Sequence, residues 1–237
     1  MIKVASYNIR KSIGTDRRRQ PERIMKILAE IDADIVALQE VDRRFGERAT
    51  TLSPDLLVDF TNYMPVRFGI REQSLGWHGN VLLVKKGIEV RNPQRIELPA
   101  FEPRGAVMAD VVIDGTAMRV VGMHLGLLGN SRMKQADAIV SHLEKLEQHM
   151  PTVIMGDLNQ WAVDGKCLVA FARHHDVIPL GPSFHSRRPM LQLDRIITSR
   201  DFRLESAGVH RTALARTGSD HLPVWASLSL QRAEAAA

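Results

Sequence analysis

Residues 106–124 read Ala106-Val107-Met108-Ala109-Asp110-Val111-Val112-Ile113-Asp114-Gly115-Thr116-Ala117-Met118-Arg119-Val120-Val121-Gly122-Met123-His124, and this stretch decides the fold class. Two β-like runs, Ala106–Ile113 and Thr116–Met123, meet at Asp114-Gly115. A tight primed turn needs positive φ at its central residues and Asp-Gly tolerates it, so the stretch predicts an antiparallel hairpin. Beyond it the period changes. Met133, Ala136, Ile139, Val140, Leu143 and Leu146 recur at helical spacing between Asn130 and about His149. A strand over Thr152–Met155 follows, then a helix near Asp164–His174, then strands over Arg195–Thr198, Phe202–Val209 and Leu222–Leu230. On the N-terminal side the strands are Ile2–Tyr7, Asp34–Leu38 and Asn80–Val84, with a helix over Pro21–Ile31 entered through proline. Residues 42–63 are polar and interrupted, which predicts a loop with a short helix after Pro54. A hairpin among strands separated by helices predicts a mixed α/β (α+β) fold, with sheets covered by helices and not one all-parallel sheet. No linker or internal repeat divides the chain, so residues 1–237 read as one domain, and the tail after Leu230 carries no functional signal.

Composition narrows the class. Apolar residues make up 44% and charged residues 25%, as in a water-soluble globule and unlike a disordered or fibrous chain. Cys167 is the sole cysteine, which excludes an intrachain disulfide and a cysteine metal site; its apolar setting predicts a buried thiol. Asn8 and Arg10 interrupt the first apolar run, so it does not read as a signal peptide, and no run of apolar residues is long enough to span a bilayer. A cytoplasmic setting is the expectation. Lys and Arg total 32 against 27 acidic residues, an excess that suits an anionic substrate. Arg17-Arg18-Arg19 and Arg187-Arg188 read as solvated loops.

The chemistry lies where polar residues interrupt apolar strands. Asn8, Glu40, His124, Asp157 and Asn159 close strands, whereas Asp194 and the Asp220-His221 pair precede strands. If the late strands run antiparallel to the early ones, all of these reach one rim. That rim would hold four carboxylates (Glu40, Asp157, Asp194, Asp220), which repel one another unless a cation or proton intervenes. Oxygen donors without cysteine favour Mg²⁺ or Mn²⁺. Hydrolysis of a phosphoester needs a positioned water, a group to orient or deprotonate it, and positive charge on the non-bridging oxygens. The rim contains candidates for each.

Taken in order, Ser6-Tyr7-Asn8-Ile9, Leu38-Gln39-Glu40-Val41, Met123-His124-Leu125, Gly156-Asp157-Leu158-Asn159, Leu193-Asp194-Arg195-Ile196 and Gly218-Ser219-Asp220-His221-Leu222-Pro223 resemble the motif series of the endonuclease/exonuclease/phosphatase superfamily. His78-Gly79-Asn80, Arg104-Gly105 and His124-Leu125-Gly126-Leu127 look most like a compact bacterial subgroup of it. The resemblance implies a four-layer α/β sandwich, two mixed sheets face to face with helices outside. It implies a divalent-metal-dependent phosphoesterase that attacks phosphorus in line with water. Carried over by position, Glu40 would be the main Mg²⁺ (or Mn²⁺) ligand, assisted by Asn8 and Asp220. His221, oriented by Asp194, would sit over the scissile phosphate as general base or as a phosphate donor, which leaves the base open between it and Asp157. Asp157 would position or deprotonate the water, Asn159 would donate to the phosphate, and His124 and Arg104 would bind non-bridging oxygens. Asn80 and Arg10 join them as phosphate-binding candidates.

Three functions compete. The leading one hydrolyses a phosphodiester, with a lipid headgroup or small-molecule phosphodiester as substrate. A Mg²⁺-dependent nuclease acting on DNA or RNA is the alternative; the excess of basic residues favours it, and the low aromatic content disfavours it. Arg10 also disfavours apurinic-site cleavage, because it stands where apurinic endonucleases of the superfamily usually carry an aspartate. A catalytically inactive binding module is the third. Trp161 reads as packing and His174-His175 as surface residues.

Overall fold

The computed structural model describes residues 1–231 except 69–71, 100, 101, 103 and 163; the alanine tail lies outside the described residues. The hairpin forms as predicted. Strands β6 (Gly105–Ile113) and β7 (Thr116–His124) pair antiparallel around Asp114 and Gly115, with φ of 48° and 76°. Among the described residues both belong to the second of two six-stranded sheets. The first runs β11-β12-β1-β2-β4-β3, from Phe202–Val209, Val224–Leu230, Ile2–Asn8, Ile35–Gln39, Val81–Lys85 and Tyr63–Pro65. The second runs β5-β6-β7-β8-β10-β9, with β5 Glu89–Glu97, β8 Thr152–Asp157, β10 Asp194–Ser199 and β9 His175–Val177. Both sheets are mixed: β1 pairs β2 and β7 pairs β8 in parallel, and the other pairings are antiparallel.

Alternation along the strands assigns the faces. Val107, Ala109, Val120, Val153, Met155 and Ile196 join the core between the sheets, where β1 and β2 face β7 and β8. Their neighbours Met108, Val121, Ile154 and Ile197 join a second core under α3 (Gly129–Glu144) and α4 (Lys166–Ala172). Helix α1 (Pro21–Ile31) buries Ile24, Ile27, Leu28 and Ile31 into the first core. The layers are therefore helix, sheet, sheet, helix. A short α2 (Pro54–Phe60), capped by Ser53, occupies the polar stretch, and α5 (Ala213–Gly218) precedes β12.

Among the described residues, five elements escape the sequence pattern. Strand β5 lies at a sheet edge, is almost wholly exposed and bulges between Arg91 and Gln94, so it needs no apolar alternation. The one-turn 3₁₀ helix Arg10–Ser12, β3, β9 and α5 are too short for periodicity to register.

Close strand contact makes Gly156 a test of the fold. A Cβ there would lie 1.9 Å from the Met123 carbonyl oxygen of the paired strand. Gly156→Ala is expected to lower stability by on the order of 3 kcal/mol, read as a lower urea midpoint.

Candidate active site

The period-2 alternation that puts Val153 and Met155 in the inter-sheet core puts Asp157 on the same face, and it does the same for His124 after Val120. Register completes the assembly: His124 pairs with Asp157 across the parallel strands, and Asp194 pairs with Asp157 across the antiparallel ones. From the first sheet, Asn8 ends β1 opposite Gln39, immediately before Glu40. Strand β12 runs antiparallel to β1, which brings Ser219 Oγ 2.7 Å from the Asn8 carbonyl oxygen and Asp220-His221 to the same edge. The antiparallel placement expected for the late strands is present.

Asp157 is the hub, and it is 1% exposed. Asn8 Nδ2 donates to its Oδ2 at 3.0 Å, His124 Nε2 lies 3.4 Å and His221 Nε2 3.6 Å from that oxygen. Asn159 N donates to Oδ1 at 2.9 Å, while the Asn159 amide nitrogen lies 3.2 Å from His124 Nε2. His221 Nδ1 meets Asp194 Oδ2 at 2.9 Å, and Ser183 Oγ donates to the same oxygen at 2.5 Å. Phe184 covers the imidazole, with ring centroids 4.9 Å apart.

The two histidines are driven in opposite directions. Burial pulls His221 down, but Asp194 and Asp157 outweigh it and raise its pKa to about 10. Burial lowers His124 to about 4, helped by Arg104 and opposed by Asp157. At neutral pH one is an imidazolium and the other a neutral ring, which can accept from Arg104 Nη1 at 2.8 Å. Burial raises Glu40, yet the surrounding positive charge holds it at about 2. Because His124 is neutral at working pH, Lys11 and Arg104 are the cations that keep Glu40 ionised.

The carboxylates fit a hard cation. The Lys11 ammonium sits on Glu40 Oε2, and Arg10 Nε lies 3.3 Å from Asp220 Oδ2, so side-chain cations occupy the positions where a metal would neutralise charge. Asn8 Oδ1 accepts from Arg10 N at 3.0 Å on the same side. A second grouping, Asp157, Asp194 and His221, offers ligand atoms all within 4.8 Å of one another. Its imidazolium already supplies the neutralising charge, so it reads as a proton-linked pair with a neighbouring carboxylate. Glu40 itself has φ of 57°, a left-handed conformation costly for a residue with a long side chain, as at strained functional positions.

Other candidates are placed differently. Asn80 is 1% exposed and spends both amide hydrogens on the carbonyls of Trp77 and Gly105, at 3.2 and 3.0 Å, so no donor faces a phosphate. Arg104 divides itself between His124 and Glu102, the latter at 3.2 Å. Trp161, expected to pack, is 66% exposed just after Asn159, and Leu127 and Leu128 are exposed as well; Arg132 ties these two loops together through Leu127 O and Gln160 Oε1. Cys167 is buried, as expected. Lys11, Ser183 and Glu102 were not legible in the sequence, since they lie outside the strands and long helices and become site residues only through long-range contacts.

A model of the Endonuclease/Exonuclease/phosphatase family matches residues 5–221. The chain belongs to that family. Its members are hydrolases of phosphoester bonds, typically with a divalent metal. The uncharacterized protein YbhP of Escherichia coli K12 is 27% identical over 97% of this chain and 96% of its own length. The human Nocturnin catalytic domain with bound sulfate superposes with a TM-score of 0.74 at 20% identity, covering 97% of this chain and 93% of that one. The mannosyl-6-phosphatase Bt3783 of Bacteroides thetaiotaomicron does so with a TM-score of 0.76 at 17% identity, covering 97% and 100%. At such identities the two structures establish the shared fold. Among the described residues no helix is long and apolar enough to cross a membrane.

Proposed function

We propose that this protein is a divalent-metal-dependent phosphodiesterase that directs water at phosphorus in line with the leaving group. The convergence of Asn8, His124 and His221 on Asp157 Oδ2 carries this reading. Asp157 orients the attacking water. With a pKa of about 10, His221 is protonated at neutral pH, which suits it to donate to a phosphate oxygen or to the leaving group and not to act as the base. Neutral His124, Asn159 and Arg104 stabilise the charge that develops on the non-bridging oxygens. Glu40, Asn8 and Asp220 would hold Mg²⁺ or Mn²⁺. When bound, such an ion supplies Lewis-acid charge at the phosphoryl oxygens.

The exposed Leu127, Leu128 and Trp161 beside the Asp157-Asn159 turn favour a lipid-headgroup or small-molecule diester, whose apolar part they can cover. A nuclease is the second reading. It is favoured by exposed Arg17–Arg19 and by Arg187, whose Nη2 donates to Thr15 O at 2.8 Å and so joins the two basic clusters near Arg10. A cytoplasmic setting accompanies either proposal.

Hydrolysis of bis(p-nitrophenyl) phosphate, a phosphomonoester, sphingomyelin, DNA and RNA should be compared with Mg²⁺, with Mn²⁺ and with EDTA. The expected result is metal-dependent cleavage of diesters that EDTA abolishes. Full activity in EDTA would overturn the metal assignment, and cleavage of nucleic acid alone would install the nuclease reading.

A further inference from the structure

Next to the Asp157 hub lies an open cleft whose lining holds five cationic side chains against two carboxylates. Neither carboxylate is available to the cleft's outer part. Asp42 is consumed by Ser74 Oγ at 2.7 Å and by the backbone N–H groups of Leu75 and Gly76 at 3.0 and 3.1 Å. Glu40 is held by Lys11, and Arg104 has Glu102. Arg43, Arg44 and Arg48 remain, and among the described residues none of the three forms an ion pair. Arg48 Nη1 lies 3.4 Å from His78 Nδ1, a ring whose pKa is lowered by its burial and by Arg48.

The loop that carries them is tied down. Arg43 N donates to Ala49 O at 3.0 Å, Asp42 bridges Thr50, and Thr51 N donates to Val41 O at 2.8 Å. Three guanidiniums within six residues repel one another, and among the described residues no carboxylate pairs with any of them to relieve that. Their donor forks match a tetrahedral dianion, and His124 and Arg104 already serve the cleft's inner end beside Asp157.

We infer that Arg43, Arg44 and Arg48 form a second anion subsite, which selects phosphodiesters that also carry a phosphomonoester group. The inference rests on the phosphodiesterase reading for its scissile phosphate, but it concerns binding and is tested without turnover.

The probes are p-nitrophenyl hydroxybutyl phosphate and the same diester phosphorylated on its terminal hydroxyl. Calorimetry without added metal is expected to show the phosphorylated probe binding at least about tenfold more tightly, as a charge-assisted bidentate contact would give. The preference should shrink between about 50 and about 500 mM salt, because an ionic contact in an open cleft is screened. Arg43→Gln/Arg44→Gln/Arg48→Gln should abolish the preference. Equal affinity for the two probes, binding of neither, or a preference that survives the triple substitution or high salt would overturn the subsite. Nitrophenol release with Mg²⁺ is read separately. A retained binding preference without hydrolysis would sink the phosphodiesterase reading and leave the subsite standing.

Discussion

Asp157→Ala is expected to lower kcat/KM for bis(p-nitrophenyl) phosphate by about 1,000- to 10,000-fold, the scale of removing a group that orients and activates water. No other side chain can replace it, because its Oδ2 is the atom on which Asn8, His124 and His221 converge from both sheets. The substitution also leaves Asn8 Nδ2 and the Asn159 backbone N–H without their acceptor, which costs about 1–3 kcal/mol. A urea melt separates the two effects. A folded variant that keeps more than a tenth of wild-type activity would remove Asp157 from the mechanism.

Asp194→Asn carries the second large effect and acts through another residue. Asp194 is fully buried, accepts from Ser183 and is, with Asp157, what holds His221 protonated up to about pH 10. Replacing the carboxylate by an amide removes that charge while keeping the shape. His221 should then titrate well below about 10, read by its imidazole resonances in the metal-free protein, and kcat should fall by about 100-fold with its alkaline limb displaced toward lower pH. The stability linkage has a definite sign. The folded pKa lies above the ordinary 6.5, so the pair's contribution is complete below pH 6.5 and fades as pH rises through about 10. Asp194→Asn should flatten that alkaline loss. An unchanged His221 titration would refute the assignment of Asp194 as the positioning residue, whatever happened to the rate.

Both predictions concern residues that can be picked out in the chain before any coordinates are known. Asp157, His124 and Asn8 stand where an apolar β-run ends in a polar side chain, and a strand end is a property of local pattern. Asp114-Gly115 announces the hairpin because only a few residue types tolerate its turn. The long helices α1 and α3 show their 3.6 period because one face of each is buried. Asn80 is the contrasting case. It borders an apolar run as well, at its start, yet its donors turn to Trp77 and Gly105 carbonyls, a choice made by the neighbouring loop and invisible in linear order. Trp161 reads as packing yet is 66% exposed, because exposure depends on what the fold lays over a loop.

The sequence by itself determined the mixed α/β class, most strand and helix positions, and which polar side chains end strands, because turn chemistry and periodicity are local. It also carried the ordered motifs of the family. Tertiary structure alone decided which side chains meet and in what state of charge. Asn8 and Asp157 are 149 residues apart, and the face-to-face packing of β1 against β8 puts them in contact. The opposite charge states of His124 and His221 follow from burial and neighbouring fields. Those depend on distances in space and leave no trace in spacing along the chain.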